Sequence, residues 1–289
     1  MKKGIPGREM TRLMLDGRLH DPADPAVPAS WLALLRGEGI FETFAVEDGE
    51  PTPFLDGHEQ RLFASAERLG MDLAGEGLRA GLATFLPVLG GGSWRVRHTV
   101  LRGAAGELHR MWSAGPLPPP PDEVELVLAE FRRDPADPLV QAKTISRARE
   151  QLARRTALAA GAWEALFLNL AGDLAEATSA NLFVACHGVL RTPAEDQGIL
   201  PGVTRRAVLD GCRRSGIPVE EGVLPLSALT EAEEVFLTNS VIGVIPVRAV
   251  RGVTDSLPGK RGTWLPRVRS AYLEWKRRCA DAVPDRRST

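Results

Sequence analysis

The 289-residue sequence predicts a two-domain protein of the α/β class, α+β in arrangement. Three observations predict it. The length exceeds what one hydrophobic core usually covers. A proline-rich break, Gly115-Pro116-Leu117-Pro118-Pro119-Pro120-Pro121-Asp122, removes backbone donors and favours extended geometry. On both sides of it, segments with the apolar period of helices mix with segments that alternate as strands do. The expected division is a smaller N-terminal α+β domain at 1–115, a linker at 116–121 and a larger C-terminal domain at 122–289. A ligand for a proline-binding module is the other reading of the break, and a semi-rigid linker between folded halves is the stronger one.

In chain order, a strand is expected around Met14 and another over 40–46, followed by helices over 56–69 and 77–89 and a strand over 93–101. Gly90-Gly91-Gly92 lacks the following Lys and Ser/Thr of a phosphate-binding loop and reads as a turn. After the break, 124–131 alternates like a strand and 147–160 reads as a helix closed by Gly161. Runs at 164–170, 174–185 and 189–192, separated by Ala171-Gly172-Asp173 and His187-Gly188, form a meander. A helix over 203–214 and a strand over 234–237, leading into Thr238-Asn239-Ser240, complete the pattern. No internal repeat or sustained heptad pattern is present.

With 44% apolar residues, 25% charged residues and a net charge of −1, the composition is that of a soluble globular protein. Nothing in it favours nucleic acid or membrane as a partner. Cys186, Cys212 and Cys279 lack metal-ligand spacing and read as free thiols of a reducing compartment, so no metal is expected. Residues 1–12 lack the apolar core of a signal peptide, and no apolar run approaches the roughly 20 residues of a membrane span. A cytoplasmic location is expected.

Five lysines stand against 31 arginines, and only Lys143 is far from the termini. A chain that meets its need for positive charge with arginine has little structural reason for such a lysine, whereas Schiff-base chemistry needs an amine that can lose its proton. Taken alone, Lys143 reads as a surface residue, and the segments downstream reverse that reading. Glu176 is one carboxylate amid small and apolar residues, so it is expected to be partly buried and to need a partner. That partner is either a protonated ring nitrogen or a turn. In Gly198-Ile199-Leu200-Pro201-Gly202-Val203-Thr204-Arg205, glycine and proline precede a helix whose first amides can bind an anion. Thr204, Asn239 and Ser240 offer short polar groups to the same anion, and Arg61 offers charge. Each also has an ordinary reading as a cap, a turn residue or a solvated helix face. Together, a lysine, an acid and an anion pocket are what pyridoxal phosphate requires.

These segments, with Gly37-Glu38-Gly39-Ile40-Phe41-Glu42-Thr43, His58-Glu59-Gln60-Arg61-Leu62, Asn181-Leu182-Phe183 and Pro246-Val247, resemble the class IV (fold-type IV) pyridoxal-phosphate enzymes. That family comprises branched-chain and D-amino-acid aminotransferases and 4-amino-4-deoxychorismate lyases. The resemblance implies a two-domain fold like that of D-amino-acid aminotransferase, a homodimer, and an active site at the domain and subunit boundary. It implies Lys143 as the Schiff-base lysine, Glu176 on the pyridine nitrogen, and Arg61, the backbone of Val203 and Thr204, and Ser240 on the phosphate, with Asn181 and Asn239 beside them. The chain departs from the family at residues 25–36, which lack the usual Asp-Arg turn, and at Gly37-Glu38-Gly39, where Gly-Asp-Gly is usual.

Three features resemble the lyases more than the aminotransferases. The stretch from Phe236 to Val247 looks like lyase sequences; the sole tyrosine is Tyr272, whereas aminotransferases place tyrosines around the substrate; and Glu107 stands where D-amino-acid aminotransferases carry an arginine. His109 and Arg110 adjoin that last position. Thr43 stands where lyases have a hydroxyl toward the substrate. The expected activity is conversion of 4-amino-4-deoxychorismate to 4-aminobenzoate and pyruvate, a step of folate biosynthesis, with Lys143 as the proton-transfer base. A class IV aminotransferase is the alternative, and a non-catalytic scaffold retaining the fold is the reading from another class.

Overall fold

The structure, a computed structural model, describes residues 10–24 and 26–282. Residues 1–9, expected to hold no leader, and Pro25, at the start of the departing segment, lie outside the described residues. The described chain forms two compact units, one of the residues up to Pro119 with Ala142–Ser146, the other of Pro120–Gln141 with the residues from Arg147 onward. Division by the proline-rich break alone would give Ala142–Ser146 to the second unit. The difference has a backbone cause: Phe41 N donates to Lys143 O at 2.8 Å and Ile145 N donates to Gly39 O at 2.9 Å, so the segment pairs with a strand of the first unit.

The first unit is an antiparallel sheet of β1 (Arg12–Leu15), β2 (Arg18–His20), β3 (Gly39–Glu47), β4 (Glu50–Pro51), β5 (Trp94–Arg102) and β6 (Leu108–Pro116), ordered β2-β1-β6-β5-β3-β4. Its helices are α1 (Leu32–Arg36), α2 (Leu55–Arg68) and α3 (Leu78–Leu89). Because side chains alternate along a strand, Ile40, Glu42, Phe44 and Val46 of β3 share one face. The three apolar ones join Leu62 of α2 and Leu82 and Phe85 of α3 in a single buried cluster. Glu42 is carried into that cluster by its register and is fully buried.

His98 on β5 lies opposite both Glu42 and Trp112. It is buried with its ring centroid 4.3 Å from that of Trp112, and neither ring nitrogen has a hydrogen-bond partner among the described residues. Burial, aided by the nearby Arg110 charge, pushes its pKa down from 6.5 to about 3. The unfolded chain therefore binds a proton that the folded chain refuses, and stability falls as pH drops below about 6.5. His98→Leu is expected to lose less melting temperature between pH 7 and pH 5 than the parent does. Equal losses would assign the acid sensitivity to other groups.

The second unit holds β7 (Val124–Leu128), β8 (Glu164–Leu168), β9 (Leu174–Ala177), β10 (Asn181–Cys186), β11 (Val189–Pro193), β12 (Val219–Gly222), β13 (Glu234–Asn239) and β14 (Gly243–Arg251), with helices α4 (Ala148–Ala159), α5 (Val203–Arg214) and α6 (Trp264–Asp281). The order is β12-β11-β10-β13-β14-β7-β8-β9, and β9 also pairs with β10, closing part of the sheet on itself. Leu126, Leu166, Leu182, Leu237 and Ile245 fill one cluster, while α5 and α6 pack Val208, Leu209 and Val268 against Phe183 and Phe236 in another. No helix among the described residues is long and apolar enough to cross a membrane.

The expected single run over 174–185 is two strands, β9 and β10, joined by residues 178–180. The turn is made by a buried acid: Glu164 accepts from the Thr178 and Ser179 hydroxyls and from Ser179 N, and pairs with Arg154. Thr-Ser-Ala carries no strong turn signal, so the partner that bends it is invisible locally. β6, β12, β14 and α6 had no assignment from sequence. In β14, Pro246 argues against a central strand, yet it pairs with Phe236 there.

Candidate active site

In the first unit, Lys143 lies on the segment added beside β3, where its own N–H donates to Ser65 Oγ on α2 at 3.1 Å. Gly39 allows the approach, since a Cβ there would lie 2.7 Å from Val100 O and 2.8 Å from Ile145 Cδ1. Lys143 Nζ stands 4.7 Å from the ring centroid of Phe41, and the guanidinium carbon of Arg97 stands 3.5 Å from the same centroid. Arg97 is the cross-strand partner of Thr43, and its Nε donates to Thr99 Oγ1 at 3.2 Å. By strand alternation Phe41 and Thr43 share the face opposite Glu42. An amine and a guanidinium thus meet an aromatic ring there, on the strand face that also carries the Thr43 hydroxyl, with Lys143, Thr43 and Arg97 only partly buried.

Behind that face, Glu42 receives Arg61 through Nε to Oε1 at 2.8 Å and Nη2 to Oε2 at 2.6 Å, and pairs with His58 Nδ1 at 2.7 Å. His58 and Arg61 reach it together because residues three apart share a helix face. Burial alone would raise the pKa of Glu42, but the charges and hydrogen bonds of Arg61 and His58 bring it down from 4.5 to about 2. His58 is held below its ordinary value, chiefly by burial and further by the positive charges of Arg61 and Lys143, against the pull of Glu42.

In the second unit, Glu176 on β9 and Asn181 on β10 are cross-strand partners. Asn181 Nδ2 donates to Glu176 Oε2 at 2.8 Å and to Leu200 O at 3.0 Å. Glu176 Oε1 lies 3.2 Å from Arg133 Nη1, and Arg133 Nη2 donates to Glu150 Oε1 at 3.1 Å. Gly202 is the N-cap of α5, which has no side-chain cap bond and no acidic residue in its first turn. Thr204 Oγ1 lies 3.0 Å from Ser240 Oγ beside that helix start. Arg205 pins the same turn, donating to Thr192 Oγ1, Pro193 O and Glu221. Asn239 Oδ1 accepts from Val241 N at 3.0 Å and Ile242 N at 3.1 Å, shaping the loop that carries Ser240.

The sequence-derived residues thus fall into two groups, Lys143, Thr43 and Arg61 in the first unit and Glu176, Asn181, Val203, Thr204, Asn239 and Ser240 in the second. Sequence reasoning gave no role to Glu42, His58, Phe41, Arg97 or Arg133. Glu42 had a signal, being a carboxylate in register with Ile40, Phe44 and Val46. Arg133 had none, since its partners lie 17 and 43 positions away, at Glu150 and Glu176.

Residues 39–250 match the family model described as amino-transferase class IV. A putative branched-chain-amino-acid aminotransferase of Methanocaldococcus jannaschii is 32% identical over 83% of this chain and 88% of its own length. A D-alanine aminotransferase of Bacillus licheniformis is 28% identical over 84% of this chain and 89% of its own. The crystal structure of a putative 4-amino-4-deoxychorismate lyase from Legionella pneumophila superposes with a TM-score of 0.81 at 26% identity, covering 88% of this chain and 97% of that one. With a match over most of its length, the chain belongs to the class IV aminotransferase family of pyridoxal-phosphate-dependent enzymes.

Proposed function

We propose that the chain is a lyase that converts 4-amino-4-deoxychorismate to 4-aminobenzoate and pyruvate. The observation that carries this reading is the grouping of Lys143, Phe41, Thr43 and Arg97 on one face, which offers an amine base, a hydroxyl and a carboxylate-binding cation. Phe41 brings a ring without a phenol, and the sole tyrosine of the sequence is Tyr272 in α6.

The residues fit pyridoxal phosphate. A helix start with no side-chain cap, flanked by two hydroxyls, suits a phosphate, and a buried carboxylate held by Asn181 suits a protonated ring nitrogen. When bound, the cofactor supplies an aldehyde for the substrate amine and a ring that accepts electrons. Lys143 would be the amine for that aldehyde, and Glu176, oriented by Asn181, would meet the ring nitrogen. Arg61, the amides of Val203 and Thr204, and Ser240 would hold the phosphate, with Asn239 fixing the loop of Ser240. Lys143 Nζ removes the proton from the amine-bearing carbon of the substrate. The bond from the ring to the enolpyruvyl oxygen breaks, Thr43 or a water delivers a proton to the departing methylene, and pyruvate leaves an aromatic product. Arg97 holds a substrate carboxylate. The enzyme works as a cytoplasmic homodimer in this reading.

An aminotransferase is the second reading, favoured by the 32% identity to the putative branched-chain enzyme. The two share Lys143 and differ in where its proton goes. The test is a paired assay on the cofactor-loaded protein, with pyruvate release from 4-amino-4-deoxychorismate in one arm and transfer from L- and D-amino acids to 2-oxoglutarate in the other. Pyruvate with little transfer is expected; efficient transfer without pyruvate would sink the lyase reading.

Gly202→Ala probes the second unit. A Cβ at 202 would run into Asn181 Oδ1, so Asn181 must leave Glu176 or the helix start must shift. Cofactor affinity, measured by fluorescence titration, is expected to fall roughly tenfold, the scale of one charge-assisted hydrogen bond. An unchanged affinity would show that neither contact matters to binding.

A further inference from the structure

We propose that Arg133 is a positioning residue for the cofactor: it fixes the carboxylate of Glu176 so that Glu176 meets the ring nitrogen in one orientation. The inference rests on the reading of Glu176 as the partner of that nitrogen.

Arg133 is buried, with 6% of its surface exposed. Its guanidinium spans two carboxylates, Glu176 at 3.2 Å through Nη1 and Glu150 of α4 at 3.1 Å through Nη2. Its guanidinium carbon lies over Phe167 of β8, 4.8 Å from the ring centroid, and its backbone N–H donates to Leu168 O at 2.9 Å. Ion pairs, a cation–π contact and a backbone hydrogen bond all hold it in one place, and a planar guanidinium orients a carboxylate in a way that a rotating ammonium does not. Asn181 on Oε2 and Arg133 on Oε1 grip Glu176 from both sides, leaving the carboxylate plane little freedom to turn. A single-sided grip would leave the plane free to rotate about χ3, a soft torsion in glutamate. Glu150 accepts the second arm, so the bridge is braced from a helix rather than from the strand that carries Glu176.

A structural role alone would make the same contacts, so the test must read the ring nitrogen itself. The probes are pyridoxal phosphate and its carbocyclic analogue, in which a C–H replaces the ring nitrogen. Dissociation constants are measured with the full-length protein for Arg133→Met, which keeps the stem over Phe167, and for Arg133→Lys, which keeps the charge. Arg133→Met is expected to weaken pyridoxal phosphate about tenfold and to leave the analogue unchanged; Arg133→Lys is expected to show a smaller loss of the same pattern. Equal losses for both ligands, or none for either, would overturn the proposal. If Arg133→Met fails to fold with two carboxylates unneutralised, the double variant with Glu150→Gln restores the charge balance and carries the same expectation. Glu176→Gln separates the two claims. If it weakens both ligands alike, Glu176 does not serve the ring nitrogen and the functional reading fails; if it spares the analogue while Arg133→Met does not, only the positioning role fails.

Discussion

Lys143→Ala is expected to abolish turnover, by more than about 10³-fold, as loss of a nucleophile or base does in other enzymes. It should also remove the visible absorbance of the cofactor-loaded protein. No neighbour can supply the chemistry of a primary amine. Among the residues on the Phe41 face, Arg97 is the other cation, and a guanidinium neither loses its proton near neutral pH nor condenses with an aldehyde. Lys143→Arg, which keeps the charge beside Phe41, is expected to be as inactive as Lys143→Ala. Circular dichroism should be unchanged in both, because the segment is held to β3 by backbone bonds that do not involve the side chain. Partial recovery of Lys143→Ala by added small amines would identify the missing group as a base. Substantial activity in either variant would remove Lys143 from the site.

Glu42→Gln is expected to destabilise the protein by about 3 kcal/mol at pH 7. Removing one member of a buried ion pair leaves the other uncompensated, which costs about 3–5 kcal/mol in other proteins. Linkage gives a similar figure: a carboxyl whose pKa falls from 4.5 unfolded to about 2 folded favours the folded state by about 3 kcal/mol once both states are ionised. The folded value is depressed, so this contribution is fully present above pH 4.5 and is lost as pH falls from there toward 2. Urea denaturation of parent and variant should therefore differ clearly at pH 7, with the gap narrowing steadily as pH falls from 4.5 toward 2. A gap that persists undiminished in acid would mean that the lost stability comes from packing rather than charge. Glu42 holds Arg61 through both oxygens, so on the proposed role of Arg61 at the phosphate the variant is expected to bind pyridoxal phosphate more weakly and pyridoxal, which lacks the phosphate, unchanged.

Much of this was readable in the chain, and the exceptions share a cause. Helices α2, α3, α4 and α5 begin and end within about two residues of where periodicity puts them, because the apolar spacing of a helix is a local signal. Residues 142–146 give no local sign of which unit they complete, since their partners Gly39 and Phe41 lie about a hundred positions earlier. The same holds for the turn at 178–180, bent by Glu164, and for Arg133. Lys143 stood out through scarcity, whereas Arg133 and Arg97 were hidden among 31 arginines. Contacts made at a distance leave their mark on a sequence only when the residue type is rare.

The borrowed segment has a consequence for how the protein is made and divided. Synthesis runs from the N-terminus, and the first unit lacks its last pairing partner until the chain has grown through Ser146, well past the proline-rich stretch. A gene cut at Pro119 would release a sheet short of one neighbour and leave the lysine on the piece that does not shelter it. The two halves are thus not interchangeable modules: the lysine proposed as the Schiff-base residue is encoded with one and housed by the other.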